Sequence, residues 1–138
     1  GRRVVSKASS DTIRKLLRLV VTDGTGKKAD VVGMRVGGKT GTAEKPGVGG
    51  YSRHVNVSTF AAAFPMDAPR YVVIAMLDAP KGNAESFGLT TAAWTAAPVV
   101  SKVIARTGPM LGVFPDPSKD MQIDELRTLI WKDKATAE

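Results

Sequence analysis

The chain contains no cysteine and a single histidine, His54, among its 138 residues. Without thiols there is neither a disulfide framework nor a thiolate metal site. One imidazole, with carboxylates that lack metal-site spacing, leaves no cluster to hold an ion, so no metal and no cofactor is expected. Long apolar runs are also missing: residues 71–77 and 92–100 are the longest candidates, well short of the roughly 18 to 20 residues of a membrane span. The first five residues carry no apolar core of signal-peptide length, and a first residue of Gly rather than Met points to a chain that does not start at a native translation start. Aromatics are scarce, with two Tyr, two Trp and four Phe, which leaves little to stack on nucleobases. Net charge is +7, but no block of five like charges occurs, so a solvated basic surface is expected and no nucleic-acid partner.

What is present reads as alternating helical and extended segments. Ser9 and Ser10 are candidate N-caps for a helix carrying Ile13, Leu16, Leu17 and Val20 on one face, with Arg14, Lys15 and Arg18 on the other. The turn Asp23-Gly24-Thr25-Gly26 ends it. Residues 34–43 read as a strand, although Gly37, Gly38 and Gly41 interrupt it; glycines inside a strand imply close approach of a backbone or a ligand. A loop over 44–53, rich in Pro and Gly, follows. Strands are predicted over 57–65 and 71–78, joined by a tight hairpin connection at 66–69. A loop over 80–88 leads to an Ala-rich helix over 90–106, with Pro98 as a kink or first-turn residue and Gly108-Pro109 as its stop. A linker at 115–119 precedes a short amphipathic tail helix marked by Ile123, Leu126, Leu129 and Ile130. Short links favour antiparallel neighbours, so the fold class is α+β: an antiparallel sheet of three strands flanked by helices.

Lys39 belongs to two motifs. Gly33 to Thr40 formally matches the nucleotide-binding pattern GxxxxGK[ST], and residues 71–78 end in Asp78 as a Mg²⁺-binding strand would. That reading requires a helix to begin at Lys39, yet Gly41 and Pro46 make one unfavourable. The second motif is Lys39-Thr40-Gly41-Thr42-Ala43, the K-T-G element of penicillin-binding proteins and serine β-lactamases. Its surroundings extend the match: Val20-Val21-Thr22-Asp23-Gly24-Thr25-Gly26 before it, then Phe64-Pro65-Met66-Asp67-Ala68-Pro69-Arg70-Tyr71, Asp78-Ala79-Pro80 and Ala96-Ala97-Pro98-Val99-Val100 after it. With these flanks the chain resembles the C-terminal part of the transpeptidase domain of class B penicillin-binding proteins. Lys39 to Lys45 with Tyr51 looks most like the cell-division, FtsI-like type.

The resemblance implies a penicillin-binding/serine β-lactamase-like transpeptidase fold over residues 1–115, followed by a tail over 116–138. It implies a peptidoglycan D,D-transpeptidase that cross-links stem peptides through a serine acyl-enzyme and is acylated by β-lactams. Lys39 would supply charge beside the catalytic hydroxyl, and the Thr42 amide would donate to the oxyanion. Thr40, Gly41, Thr42 and Tyr51 would contact substrate. The implied partners are peptidoglycan stem peptides on a lipid-linked precursor or nascent glycan, β-lactam antibiotics, the N-terminal remainder of the same enzyme and membrane cell-division proteins. The implied location is the periplasmic face of the bacterial inner membrane, reached through an N-terminal anchor helix outside this sequence. Against the match stands one departure. None of the eight serines is followed three positions later by lysine, and no S-x-N triplet occurs. The chain alone should therefore be inactive, which keeps a non-catalytic basic interaction module as a further alternative. His54 and Arg53 in the loop, and Asp78 at a strand end, have bland surface readings.

Overall fold

A computed structural model describes residues 1–47 and 50–130, without the side chains of residues 47 and 51–54. Helix α1 (Lys7–Thr22) starts one turn ahead of the predicted caps, because the Ser6 hydroxyl accepts the Ser9 N–H and serves as N-cap. It leads through a 3₁₀ turn (Lys27–Ala29) to strands β1 (Gly37–Gly47), β2 (Gly50–Phe64) and β3 (Tyr71–Asp78). These pair antiparallel in the order β1-β2-β3. Helix α2 (Ala96–Met110), a 3₁₀ turn (Pro117–Lys119) and the short helix α3 (Asp124–Arg127) complete the chain.

β3 has the predicted bounds because its alternation is strict: Tyr71, Val73, Ala75 and Leu77 pack on the core, while Val72, Ile74 and Met76 face outward and are exposed. The other elements depart from expectation for identifiable reasons. Residues 34–36 are not strand: Arg35 adopts φ 53° and buries its guanidinium against Asp67 and the Gly33 and Asp116 carbonyls. Residues 44–53 are not simply a loop. β1 and β2 extend as a ribbon to Gly47 and Gly50, with the register shifting between Glu44 and Lys45. Ladder hydrogen bonds need no hydrophobic pattern, and Pro46 is tolerated because an edge strand has no second ladder to serve. Residues 90–95 turn rather than wind. The Thr90 carbonyl takes the Ser58 hydroxyl at 2.6 Å, and the Thr91 carbonyl takes the Trp94 N–H. Pro98 falls in the first turn of α2, where its missing N–H leaves no bond unmade.

At its far end α2 runs through Gly108 and Pro109. A Cβ at Gly108 would lie 2.8 Å from the Met34 methyl, so this glycine permits packing rather than ending the helix. Gly112, at φ 71°, provides the left-handed exit, with the Val113 N–H returning to the Gly108 carbonyl. The expected linker is a 3₁₀ turn, and the expected tail helix is four residues long, with Ile123 buried and Leu129 exposed. The rest of the tail, residues 131–138, lies outside the described residues.

One core joins all layers. Phe60, Ala62 and Phe64 of β2 meet Val21, Met34, Val36, Ala92, Ala97, Val100, Ile104 and Val113. Burial of each Phe contributes about 2–3 kcal/mol. Aspartates knit the tail to this core. Burial pushes the Asp120 carboxyl up, but the Arg18 guanidinium outweighs it and holds the group below its usual value. Asp116 is held at about 2 by hydrogen bonds from Lys119 and Ser118. A carboxylate depressed on folding contributes stability that is complete above the unfolded value, about 3.9, and is lost as pH falls through the folded value. The thermal midpoint should therefore fall between about pH 4 and pH 2. Asp120→Asn should lie below the unsubstituted protein at pH 7, with the gap closing toward pH 2. A gap that is independent of pH would refute the assignment.

Candidate functional site

Lys39, Thr40, Gly41 and Thr42 sit on β1, which has one strand neighbour and one open edge among the described residues, and Tyr51 sits on β2. Register assigns the faces. Lys39 opposes Ala61, in line with Ile74, and Gly41 opposes Thr59, in line with Met76, so both point away from α2. Thr40 and Thr42 lie opposite Phe60 and Ser58, on the core side.

Lys39 is exposed, and its ammonium donates to the Thr40 carbonyl at 3.0 Å and the Thr40 hydroxyl at 3.2 Å. Among the described residues it forms no ion pair, so its charge is available to an external anion. The Thr40 hydroxyl also lies 3.3 Å from that of Thr25. Thr25 reads in the sequence only as part of a helix-stopping turn; its flanking position in the Gly24-Thr25-Gly26 match is the one signal that points to it. A Thr40 carbonyl engaged by Lys39 turns outward from the ladder. Backbone groups two residues apart share an edge, which puts the Thr42 N–H there too. The Thr42 hydroxyl accepts the Ala92 N–H at 3.1 Å. That bond orients the oxygen and leaves its proton free to donate.

The three strand glycines differ in what surrounds them. A Cβ on Gly37 would meet Met66 at 2.7 Å, and one on Gly38 would meet the Ala61 carbonyl at 2.5 Å. A Cβ on Gly41 meets nothing closer than 3.8 Å. Internal packing thus explains the first two, while the space beside Gly41 is open from outside. The backbone of Tyr51 pairs with Pro46, four residues and roughly 13 Å along β1 from Thr42. Its side chain, with those of Arg53 and His54, lies outside the described residues.

Two alternatives lose their footing. Lys39 and Thr40 are strand residues, so the helix a phosphate loop needs is missing. Asp78 pairs with Lys45 at 2.7 Å, and no metal-holding cluster exists among the described residues. What remains is an open strand edge with outward N–H groups, an unpaired ammonium and oriented hydroxyls. Such an edge can bind an extended peptide by strand addition and can stabilise negative charge on an oxygen beside it.

A family model described as "Penicillin binding protein transpeptidase domain" matches residues 1–103. A Caulobacter vibrioides protein named "Probable peptidoglycan D,D-transpeptidase FtsI" is 50% identical over 122 residues, 82% of this chain and 21% of its own length. Stage V sporulation protein D of Bacillus subtilis is 39% identical over 99% of this chain and 20% of its own length. The transpeptidase domain of Burkholderia pseudomallei penicillin-binding protein 3 superposes with TM-score 0.71 at 35% identity, over 84% of this chain and 34% of that one. Mycobacterium tuberculosis penicillin-binding protein 3 in complex with ampicillin gives 0.70 at 35% identity, over 83% and 27%. The chain thus spans about a fifth of the length of these two curated relatives.

Proposed function

The chain belongs to the penicillin-binding protein transpeptidase domain family, and on that premise we propose that it is the C-terminal part of an FtsI-like peptidoglycan D,D-transpeptidase domain, carrying half of the active site. The observation that supports this best is the open β1 edge. Gly41 is uncrowded from within, Lys39 has no ion pair among the described residues, and the backbone of Thr42 faces outward.

In the proposed reaction a serine Oγ, supplied by the S-x-x-K segment that this sequence does not contain, attacks the carbonyl carbon of a stem-peptide D,D-dipeptide. The carbonyl π electrons move onto oxygen, and the Thr42 N–H donates to that oxyanion. On collapse the peptide C–N bond breaks and the terminal D-amino acid leaves, its amine taking the proton given up by the serine. An amine of a second stem peptide then attacks the acyl carbon, the ester C–O bond breaks, and Oγ takes the proton that amine loses. A β-lactam follows the first half, its ring C–N bond breaking in place of the peptide bond. Lys39 stabilises the anionic groups and the serine's neighbourhood, and the Thr40 and Thr42 hydroxyls hold the substrate carboxylate. The backbone of Tyr51 pairs further along the same ribbon, and the FtsI-like type assigns this residue to substrate contact.

The remaining features fit the same reading. Val72, Ile74 and Met76 present an uncovered apolar strip on the sheet face that Lys39 shares, the place for the N-terminal remainder of the domain. No helix among the described residues is long and apolar enough to cross a membrane. The outer face of the cytoplasmic membrane, reached by an anchor elsewhere in the enzyme, and partnership with membrane cell-division proteins follow from the FtsI-like type.

Labelling with a fluorescent penicillin tests the reading. The whole enzyme carrying this chain should take one covalent label, displaced by prior treatment with ampicillin or with a stem peptide ending in D-Ala-D-Ala. An enzyme that takes no label, or a label that survives both competitors, would overturn it.

A further inference from the structure

Residues 113–120 lie beyond the stretch matched by the family model, yet their contacts converge on the entrance to β1. Arg18 of α1 is buried, its side chain 6% exposed. Its Nε and Nη2 grip both oxygens of Asp120 at 2.9 and 2.6 Å, while Nη1 donates to Asp30 at 2.8 Å and to the Val36 carbonyl at 2.9 Å. Val36 is the residue before β1 and lies three positions from Lys39. A single cation thus ties together the tail, the turn after α1 and the start of the strand.

A second pin lies beside the first. Arg35 donates from Nη1 to the Gly33 and Asp116 carbonyls at 2.8 and 2.9 Å, and from Nε to Asp67 at 2.6 Å. The Asp116 N–H returns to the Gly33 carbonyl at 2.9 Å. Contact here is close enough that a Cβ on Gly33, itself at φ 76°, would lie 2.9 Å from both the Asp116 nitrogen and the Pro115 Cβ. On the other side the Arg35 carbonyl takes the Met66 N–H at 2.8 Å.

We propose that residues 113–120 form a strap that sets the position of β1, with Arg18 and Asp120 as positioning residues for Lys39 and Thr42. The proposal rests on β1 being the transpeptidase's Lys-Thr-Gly strand. Its physical basis is the exposed situation of that strand. Among the described residues β1 has one strand neighbour, so no second ladder restrains its outer edge. Both pins act on residues 33–36, the lever into the strand, rather than on the tail's own neighbours. Arg suits the role because its planar fork addresses a carboxylate with two N–H groups and keeps a third direction for the Val36 carbonyl; a lysine ammonium has three donors but all on one nitrogen, and cannot span these partners as a fork does. A displacement of about 1 Å at reacting groups lowers rates by about 10²-fold, so modest loosening of the strap reaches the chemistry.

The test uses the whole enzyme with Asp120→Ala, Asp120→Asn, Asp120→Glu and Arg18→Lys, each confirmed folded at the assay temperature by its thermal midpoint. Penicillin acylation is resolved into non-covalent affinity and the acylation rate constant, and amide exchange is followed along β1 and β3. Asp120→Ala should lower the acylation rate constant about tenfold with little change in affinity, and should speed exchange over residues 36–42 but not in β3. Asp120→Glu should recover part of both losses. Arg18→Lys should resemble Asp120→Ala, and the double variant should be no worse than the poorer single. Where Asp120→Ala does not fold, Asp120→Asn, which keeps one acceptor, carries the same expectations to a smaller degree. A folded Asp120 variant with unchanged acylation and unchanged β1 exchange would overturn the strap. Faster exchange in β1 of an enzyme that takes no penicillin would uphold the strap while sinking the transpeptidase reading.

Discussion

Lys39→Ala is expected to lower the rate of penicillin acylation of the whole enzyme by roughly 10²- to 10³-fold while leaving its thermal midpoint unmoved. Both halves follow from where the side chain sits. Lys39 is exposed, makes no ion pair among the described residues and donates only to its neighbour Thr40, at 3.0 and 3.2 Å. A surface side chain with such partners changes stability by no more than about 0.5 kcal/mol when removed. Its charge is a different matter. An ammonium about 4 Å from a developing anion in a half-shielded cleft is worth about 4 kcal/mol at an effective dielectric near 20, and loss of one oxyanion-stabilising donor elsewhere lowers kcat by about 10²- to 10³-fold. Lys39→Arg keeps the charge but spreads it over a planar fork, so it should recover only part of the rate. Less than a threefold fall for Lys39→Ala, measured as the second-order acylation constant, would remove Lys39 from the machinery and leave it a strand lysine.

How much of this was visible in the sequence depends on the range of the interaction that produces each feature. β3 was legible to the residue because alternation is a local record of which face is buried. The Lys39-Thr40-Gly41 strand and its flanks were legible as a motif, and the family match agrees with them. The extension of β1 and β2 toward Gly47 and Gly50 was not, since backbone pairing leaves no trace in side-chain pattern. Neither was the start of α2 at Ala96, which follows from the Thr90 carbonyl being claimed by Ser58 across 32 positions. The Arg18–Asp120 pair spans 102 positions. In the sequence Arg18 is one basic residue on the polar face of a helix, indistinguishable from Lys15, and nothing periodic marks it as buried. Thr25 was legible only through the Gly24-Thr25-Gly26 match, because its nearness to Thr40 arises only when the turn after α1 folds over the strand.

The glycines of β1 make the sharpest case, because they look alike in the sequence and should behave oppositely. Gly38→Ala is expected to destabilise the whole enzyme by about 3 kcal/mol, at the upper end of the range for overpacking a core. The new methyl would sit 2.5 Å from the Ala61 carbonyl oxygen and 2.6 Å from a ring carbon of Phe60. The first is backbone of the neighbouring strand and the second belongs to a fully buried ring, so neither can withdraw without parting β1 from β2 or opening the core. Gly37→Ala presses instead on the flexible end of Met66, which can rotate away, and should cost less. Gly41→Ala should leave stability unchanged or raise it slightly, since the methyl finds only ordinary contact at 3.8 Å and alanine restricts the unfolded chain more than glycine does. Acylation should show the reverse order. Gly41→Ala puts a methyl on the Lys39 face of β1, beside the open edge along which an extended substrate would pair, and is expected to slow acylation about tenfold in a fully folded enzyme. Thermal midpoints and penicillin-acylation constants for the three variants, measured side by side, decide it. A Gly41→Ala enzyme that acylates at the unsubstituted rate would mean that the open space beside β1 is not where the substrate goes.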